Sequence, residues 1–280
     1  MRVPWAPELF AAPTLERLQE QRRKKLVTVP FFDGVMTGEI DALVGSFAGE
    51  PELHHPVRGR IRGERAFEAY PTDLNAWLRQ RHVSVENVDA VAAEGHGVDE
   101  VVLDLDSGGG RVALPIAIAG DLRPDRRIEE LRMYYSSWPL TGRHSNRPPV
   151  LQPDPELRES GVVADYQRAL AAGDVDAVVA AFESNGYARE PAGGSYVHTG
   201  PDRLRGFYRR LFSNDGGIVL EHCRVLDDNR ACALEYNVVR WGRTDLPPQA
   251  GVAVYVRGDT GKLAAARIYD DVDPPVGLGR

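Results

Sequence analysis

The side chains that could move a proton fall into two sets: Glu190, Glu221 and Tyr166 in one, His55 and Glu86 in the other. A carboxyl at the mouth of an apolar pocket is desolvated, which raises its pKa and makes it a usable acid or base near neutrality. Two carboxyls in one pocket divide the work, one protonated and one ionised. On the stretch Val219-Leu220-Glu221-His222-Cys223, alternation puts Glu221 on the side of Val219 and Cys223. Those apolar neighbours predict an inward Glu221, and an inward carboxylate needs a partner or a function. Tyr166 offers a hydroxyl that can donate to a developing negative charge. In the other set, imidazole titrates near working pH, so His55 suits a base or donor with Glu86 beside it. His54 and His55 are adjacent, and strand neighbours point opposite ways, so at most one faces a pocket.

Each residue also has a plainer reading. Glu190 would pair with Arg189 or Arg205 at a rim, and Glu221 with Arg224 or Lys262 on a solvated face. Tyr166 would pack its ring and leave its hydroxyl in water, and His55 would be satisfied by a backbone carbonyl. The acids of Ile268-Tyr269-Asp270-Asp271-Val272-Asp273 could rim a pocket, but they read more simply as a solvated acidic terminus. No metal or cofactor is expected. The seven histidines (54, 55, 82, 96, 144, 198, 222) are scattered, and the glycine clusters lack a strand-to-helix phosphate-loop context. No Ser or Cys sits in a nucleophile motif. Cys223 and Cys232 flank Asp227-Asp228 and could face each other across a hairpin, more simply as two packed thiols than as a disulfide.

These candidates recur because the chain repeats itself. Gly38-Glu39-Ile40-Asp41-Ala42 matches Gly173-Asp174-Val175-Asp176-Ala177, position 38 against 173. The same spacing carries His55-Pro56 onto Glu190-Pro191, Glu86 onto Glu221, and Arg132-Met133-Tyr134 onto Arg267-Ile268-Tyr269. A period this long means two whole domains rather than a solenoid. Each copy predicts an opening helix (26–36; around Val162 to Leu170) and a short second helix (39–47; 174–182). A short extended piece ends in Pro, and a third helix follows (64–81; 201–212). Four strands close each copy: 83–92, 98–105, 111–119 and 128–135, then 218–226, 231–241, 251–257 and 263–269. Helices followed by an antiparallel run give α+β domains with the helices on one face of a curved sheet. The expected domains are 1–140 and 155–280, with 141–154 as a polar, Pro-rich linker.

This order resembles the nuclear transport factor 2-like superfamily, in particular its ketosteroid isomerase and SnoaL-like polyketide cyclase branch. The resemblance covers roughly 25–140 and 160–275. It implies tandem cone-shaped domains, three helices on a curved antiparallel sheet, packed sheet to sheet as an intramolecular pseudo-dimer. Tyr166, eight residues before the Gly173-Asp174 aspartate, is similar to that branch's oxyanion-donating tyrosine, and Glu190-Pro191 falls where the branch has its proton-shuttling Asp-Pro. The chain departs from the pattern in two ways. The second oxyanion donor, an acid on the third strand, would fall at Val252 or Ala253, and the first copy has Phe31 and His55 in the Tyr and acid positions. The acid pair also resembles the epoxide-opening hydrolases and cyclases of polyether pathways.

Composition bounds the rest. Over 280 residues, 42% are hydrophobic and 27% charged, and the net charge of -7 argues against general affinity for nucleic acid or anionic membrane. No apolar run reaches a membrane span and no signal peptide is read, so a cytoplasmic location is expected. The function expected is cofactor-free acid–base catalysis on an apolar, oxygenated small molecule such as a polyketide or terpenoid intermediate. The alternative is a non-catalytic binding or assembly protein of the same fold.

Overall fold

The computed structural model describes residues 31–93, 95–125, 127–194 and 196–275, without the Asp33 side chain. The chain divides into two compact units, Met1–Tyr135 and Ser136–Arg280. Residues 141–154, read as a linker, therefore belong to the second unit. Among the described residues no helix is long and apolar enough to cross a membrane.

The first unit runs α1 (Phe31–Thr37), α2 (Ile40–Gly45), β1 (Glu52–His55), β2 (Gly59–Arg62), α3 (Glu64–Gln80), β3 (Ser84–Ala93), β4 (His96–Ser107), β5 (Gly110–Leu122) and β6 (Ile128–Tyr134). The 26–30 part of its expected opening helix lies outside the described residues. The second unit runs α4 (Trp138–Thr141), α5 (Gly161–Ala172), α6 (Val175–Ala180), β7 (Phe182–Arg189), β8 (Val197–Thr199), α7 (Pro201–Leu211), β9 (Ile218–Asp227), β10 (Ala231–Trp241), β11 (Thr244–Arg257) and β12 (Leu263–Tyr269). Apart from α4, which has no counterpart among the described residues of the first unit, the two α+β units share the element order that the repeat predicts.

The two sheets have one topology, β2-β1-β6-β5-β4-β3 and β8-β7-β12-β11-β10-β9. The last four strands of each form the expected antiparallel meander. The extended piece before the third helix adds two more strands, because β1 lies parallel to β6 and β7 parallel to β12 while β2 and β8 fold back as short hairpins. Each sheet is therefore six-stranded and mixed, not purely antiparallel. β6 and β12 begin at 128 and 263 and end at 134 and 269, so the duplication survives in structure without a slip there.

In the second unit Val163, Tyr166 and Leu170 of α5 and Leu204, Phe207, Tyr208 and Leu211 of α7 share a core with Cys232, Leu234, Tyr236 and Val238 of β10. These spacings of three and four are the apolar stripes of amphipathic helices, and the β10 set is one face of a strand. Asp174 caps α6 by accepting from the Ala177 amide at 3.0 Å. The two cysteines do not oppose each other. The β9–β10 turn is centred on Asn229 in the left-handed region (φ 68), so Cys232 pairs with Asp227, and Cys223 lies further along near Asn237. Both thiols are free, and burial pushes both up to about 12.

Candidate functional site

A cavity of about 130 Å³ lies between the helices and the inner sheet face of the second unit. Leu170, Phe207, Leu211, Leu220, Val238 and Trp241 make its wall largely apolar. Its polar lining groups are mostly hydrogen-bonded to one another or to neighbours; the exception is Arg189, whose guanidinium donates to the Tyr269 hydroxyl while its buried Nε has no partner among the described residues.

Deep on the helical side, the Tyr166 and Tyr208 hydroxyls share a bond of 2.8 Å, and Tyr166 is only 2% exposed. Burial raises both phenols, and the bond from Tyr208 limits Tyr166 to about 12. Both stay protonated, so the pair always has one hydroxyl hydrogen left to aim at a ligand oxygen. Tyr255 packs against the Tyr166 ring at 5.2 Å and accepts from Gln167 at 2.8 Å.

At the sheet side, Asp270 follows β12 and accepts from the Tyr236 hydroxyl at 2.8 Å. Burial raises the Asp270 pKa to about 6; Tyr236 and His144 pull it down, and neighbouring Asp271 pushes it up. Glu190, just past β7, also lines the cavity and is bonded by His198 Nε2 at 2.6 Å. The His198 ring lies flat on Phe207 at 4.3 Å.

The segment entering the second unit supplies Ser136 and the partly exposed His144 to the lining. It is tied down by Asp271, 3% exposed, which accepts from Ser136 Oγ (2.6 Å), Ser137 Oγ (2.7 Å), the Ser145 amide (2.7 Å) and His144 Nδ1 (3.0 Å). Burial alone would raise Asp271, but these donors hold it well below the usual carboxylate range. Burial would likewise lower His144, yet the bond and charge of Asp271, with Asp273 and Asp270 behind it, raise it.

The structure thus brings together two of the three second-copy candidates, Glu190 and Tyr166. Glu221 is a correction: it is exposed and absent from the cavity. Alternation holds, but the inner face of β9 carries Ile218 and Leu220, while Cys223 bonds with Asn237 on the other side. Both faces of β10 are buried, so apolar neighbours on β9 do not identify the cavity side. The plainer partners for Glu190, Arg189 and Arg205, are replaced by His198. Asp270 and Asp271 correct the expectation of a solvated terminus; Asp273 is exposed as expected.

The first-copy pair is not assembled. His55 is buried, but its Nδ1 accepts the Val57 and Arg58 amides at 3.1 and 3.0 Å, which uses the lone pair a base needs. Its ring is enclosed by Tyr70 and Tyr135, while Glu86 is exposed on β3 at the opposite sheet edge from β2. Among the described residues Glu52, His54 and Glu130 gather their ligand atoms within 4.8 Å of one another. Arg60 already grips Glu52 at 2.5 and 2.8 Å, and Arg132 grips Glu130 at 2.9 Å. This is an ion-pair network whose charge is already compensated.

Sequence reasoning passed over Tyr208, Tyr236, His198 and His144, and weighed Asp270 as a rim residue only to set it aside as solvated. The helical spacing of Tyr208 from Leu204 and Leu211 was a usable signal for an inward hydroxyl; the others depend on sheet register or on a loop.

Residues 163–266 match the family model described as the SnoaL-like domain. Over that stretch the second unit is similar to the SnoaL-like domain. Its match begins in α5 and ends in β12, so it spans Tyr166, Glu190, Tyr208 and Tyr236, while Asp270 and His144 lie outside it. Solved structures similar to the chain include an NTF2-like protein of unknown function from Cytophaga hutchinsonii, 14% identical over 41% of this chain and 95% of that one, TM-score 0.32. Another is an epoxide hydrolase/cyclase-like enzyme of pyran-ring formation in salinomycin, 22% identical over 41% and 90%, TM-score 0.33. No curated protein matches the chain.

Proposed function

We propose that the second unit is a cofactor-free acid–base enzyme acting on an apolar, oxygenated small molecule, by enolisation, cyclisation or epoxide opening. The observation that carries this reading is Asp270: a carboxyl lining a largely apolar cavity that also has the Glu190 carboxyl in its wall, and held by Tyr236. A carboxyl raised to about 6 changes protonation near neutrality, where proton transfer to and from substrate is most efficient. Asp270 takes the acid's part, giving its proton to a substrate oxygen, and Glu190 takes a proton from carbon or from an attacking hydroxyl. The Tyr166–Tyr208 pair holds the oxygen on which charge develops, and the dry wall strengthens that contact. Asp270 fills the role that sequence spacing assigned to Glu221.

The test uses a probe that needs no knowledge of the natural substrate. β-Tetralone, an aromatic ketone with acidic α-hydrogens, is incubated in heavy water and its deuterium uptake followed. The wild type accelerates exchange above buffer, and Glu190→Gln and Asp270→Asn each lose most of it. If the wild type binds the ketone without accelerating exchange, and also fails to open styrene oxide, the unit is a binding protein and the catalytic reading falls.

A further inference from the structure

We infer that His144 is the proton relay of this cavity, exchanging protons between Asp270 and solvent, with Asp271 as its positioning residue. The inference rests on the acid–base reading above and adds a group that reading leaves unused. Each ring closure or epoxide opening leaves the proton of Asp270 on the product oxygen and the proton of the attacking hydroxyl or water on Glu190. The acid must therefore be reloaded and the base emptied through solvent before the next turnover. Tyr236 cannot reload the acid, since burial keeps that phenol far from giving up its own hydrogen. A path to solvent is needed, and His144 stands between the cavity and solvent.

Three observations place it there. Its ring lines the cavity, while its side chain keeps 22% of its surface exposed. Its Nδ1–H is spent on Asp271, so the neutral ring is bare at Nε2, and no described residue bonds that atom. The ring is held in plane by Trp138, stacked at 6.4 Å and 18°. A carboxylate that fixes one imidazole nitrogen orients the other and stabilises the imidazolium once formed. Asp271 is equipped for this by its three further donors, Ser136, Ser137 and Ser145, which hold its oxygens fixed.

The transfer balances without any co-reactant. Nε2 takes a proton from solvent water, the positive charge faces Asp271, and Nε2 then passes the proton to the Asp270 carboxylate, directly or through one water. The acidic groups facing His144 are Asp270, Asp271 and Asp273, so deprotonation of Asp270 strengthens the imidazolium and its reprotonation releases it. The relay therefore loads itself when the acid is empty.

Two measurements test this. In styrene oxide opening, where the proton of the acid stays on the product, His144→Asn is expected to run about tenfold to hundredfold slower than wild type, and free imidazole in the buffer restores part of the loss. Asp271→Asn is expected to slow opening and shift its pH profile to lower pH. Epoxide opening by His144→Asn equal to wild type at every pH and buffer concentration overturns the relay. Histidine NMR titration is independent of turnover: replacing Asp270 with Asn lowers the His144 midpoint, and the neutral ring shows a bare Nε2. An unchanged midpoint, or a neutral ring protonated at Nε2, overturns the relay whatever the assay gives. A wild type with neither exchange nor epoxide opening but with the coupled midpoint sinks the enzymatic reading alone.

Discussion

Tyr236 donates its hydroxyl to Asp270 at 2.8 Å by reaching across a strand that offers no side chain between them. The strand is β11, and the residue in the gap is Gly251, paired with Tyr236 in the antiparallel register. A β-carbon built on Gly251 would lie 2.7 Å from the Tyr236 ring and 2.8 Å from the Asp270 β-carbon. The Tyr236–Asp270 bond exists because one strand position has no side chain. Gly251→Ala should force the two groups apart and lower probe exchange at least tenfold, with a stability loss of about 1–3 kcal/mol from overpacking. Full activity together with an intact Tyr236–Asp270 bond in a crystal structure of the variant would refute this.

In the proposed mechanism the buried Asp270 carboxyl favours catalysis at a cost in stability. Its folded pKa lies above the value of 3.8 for an ordinary aspartate, so the native state binds the proton more tightly than the unfolded chain. Its contribution is fully present below about pH 4 and is lost as pH rises through about 6. Asp270→Asn should therefore leave the protein as stable at pH 4 and stabilise it by up to about 3 kcal/mol at pH 8, while exchange collapses. Denaturant melts of both proteins at the two pH values read the difference. Equal stability increments at pH 4 and pH 8 would show that Asp270 is not desolvated.

The tyrosine pair calls for graded losses. Tyr166→Phe removes one hydroxyl and leaves Tyr208 buried without its partner, with burial already working against it. Exchange should fall about tenfold to thousandfold, the range of one oxyanion donor, with a smaller change in affinity. If KM for the probe rises while kcat holds, the hydroxyls only bind and do not stabilise charge.

Glu190 and Glu221 separate the inner face of the sheet from the outer one. Glu190→Gln should cost about a hundredfold or more in exchange, whereas Glu221→Gln, an exposed change on the far face of β9, should stay within twofold of wild type and within about 0.5 kcal/mol in stability. A large loss from Glu221→Gln would return that residue to the mechanism.

How much of this was legible depends on the range of the interactions. The duplication and the order of its eight meander strands rest on local pattern and a fixed spacing, and β6 and β12 fall on that spacing at both ends, whereas the hairpin strands β1, β2, β7 and β8 were read only as short extended pieces. Tyr166 was legible because helix spacing puts it with Val163 and Leu170. The inward face of β9 was not, because alternation gives two faces and β10 is buried on both. Asp270 sits in a run of acids that suggests solvent, and only the register of β10, β11 and β12 shows Tyr236 beside it. His144 lies in a polar, Pro-rich stretch whose hold on the second unit comes from Asp271, 127 positions away.

That hold yields the last prediction. Asp271 gathers donors from four neighbouring residues, all in the segment that supplies Ser136 and His144 to the cavity lining. Asp271→Asn keeps the size and removes the charge, leaving buried hydroxyls and an imidazole short of an acceptor, so a loss of about 2–4 kcal/mol is expected. Asp271 has a lowered pKa, so its stabilisation is present above about pH 4 and fades as pH falls below that. His144 has a raised pKa, so its share is present below about pH 6.5 and fades as pH rises past its folded value. The difference between wild type and variant should therefore peak between about pH 4 and 6.5 and shrink on both sides. Hydrogen exchange of the amides from Ser136 to Arg147 should rise in the variant, while those of β10 change little. A pH-independent difference, with the segment as protected as before, would mean that Asp271 does not hold it.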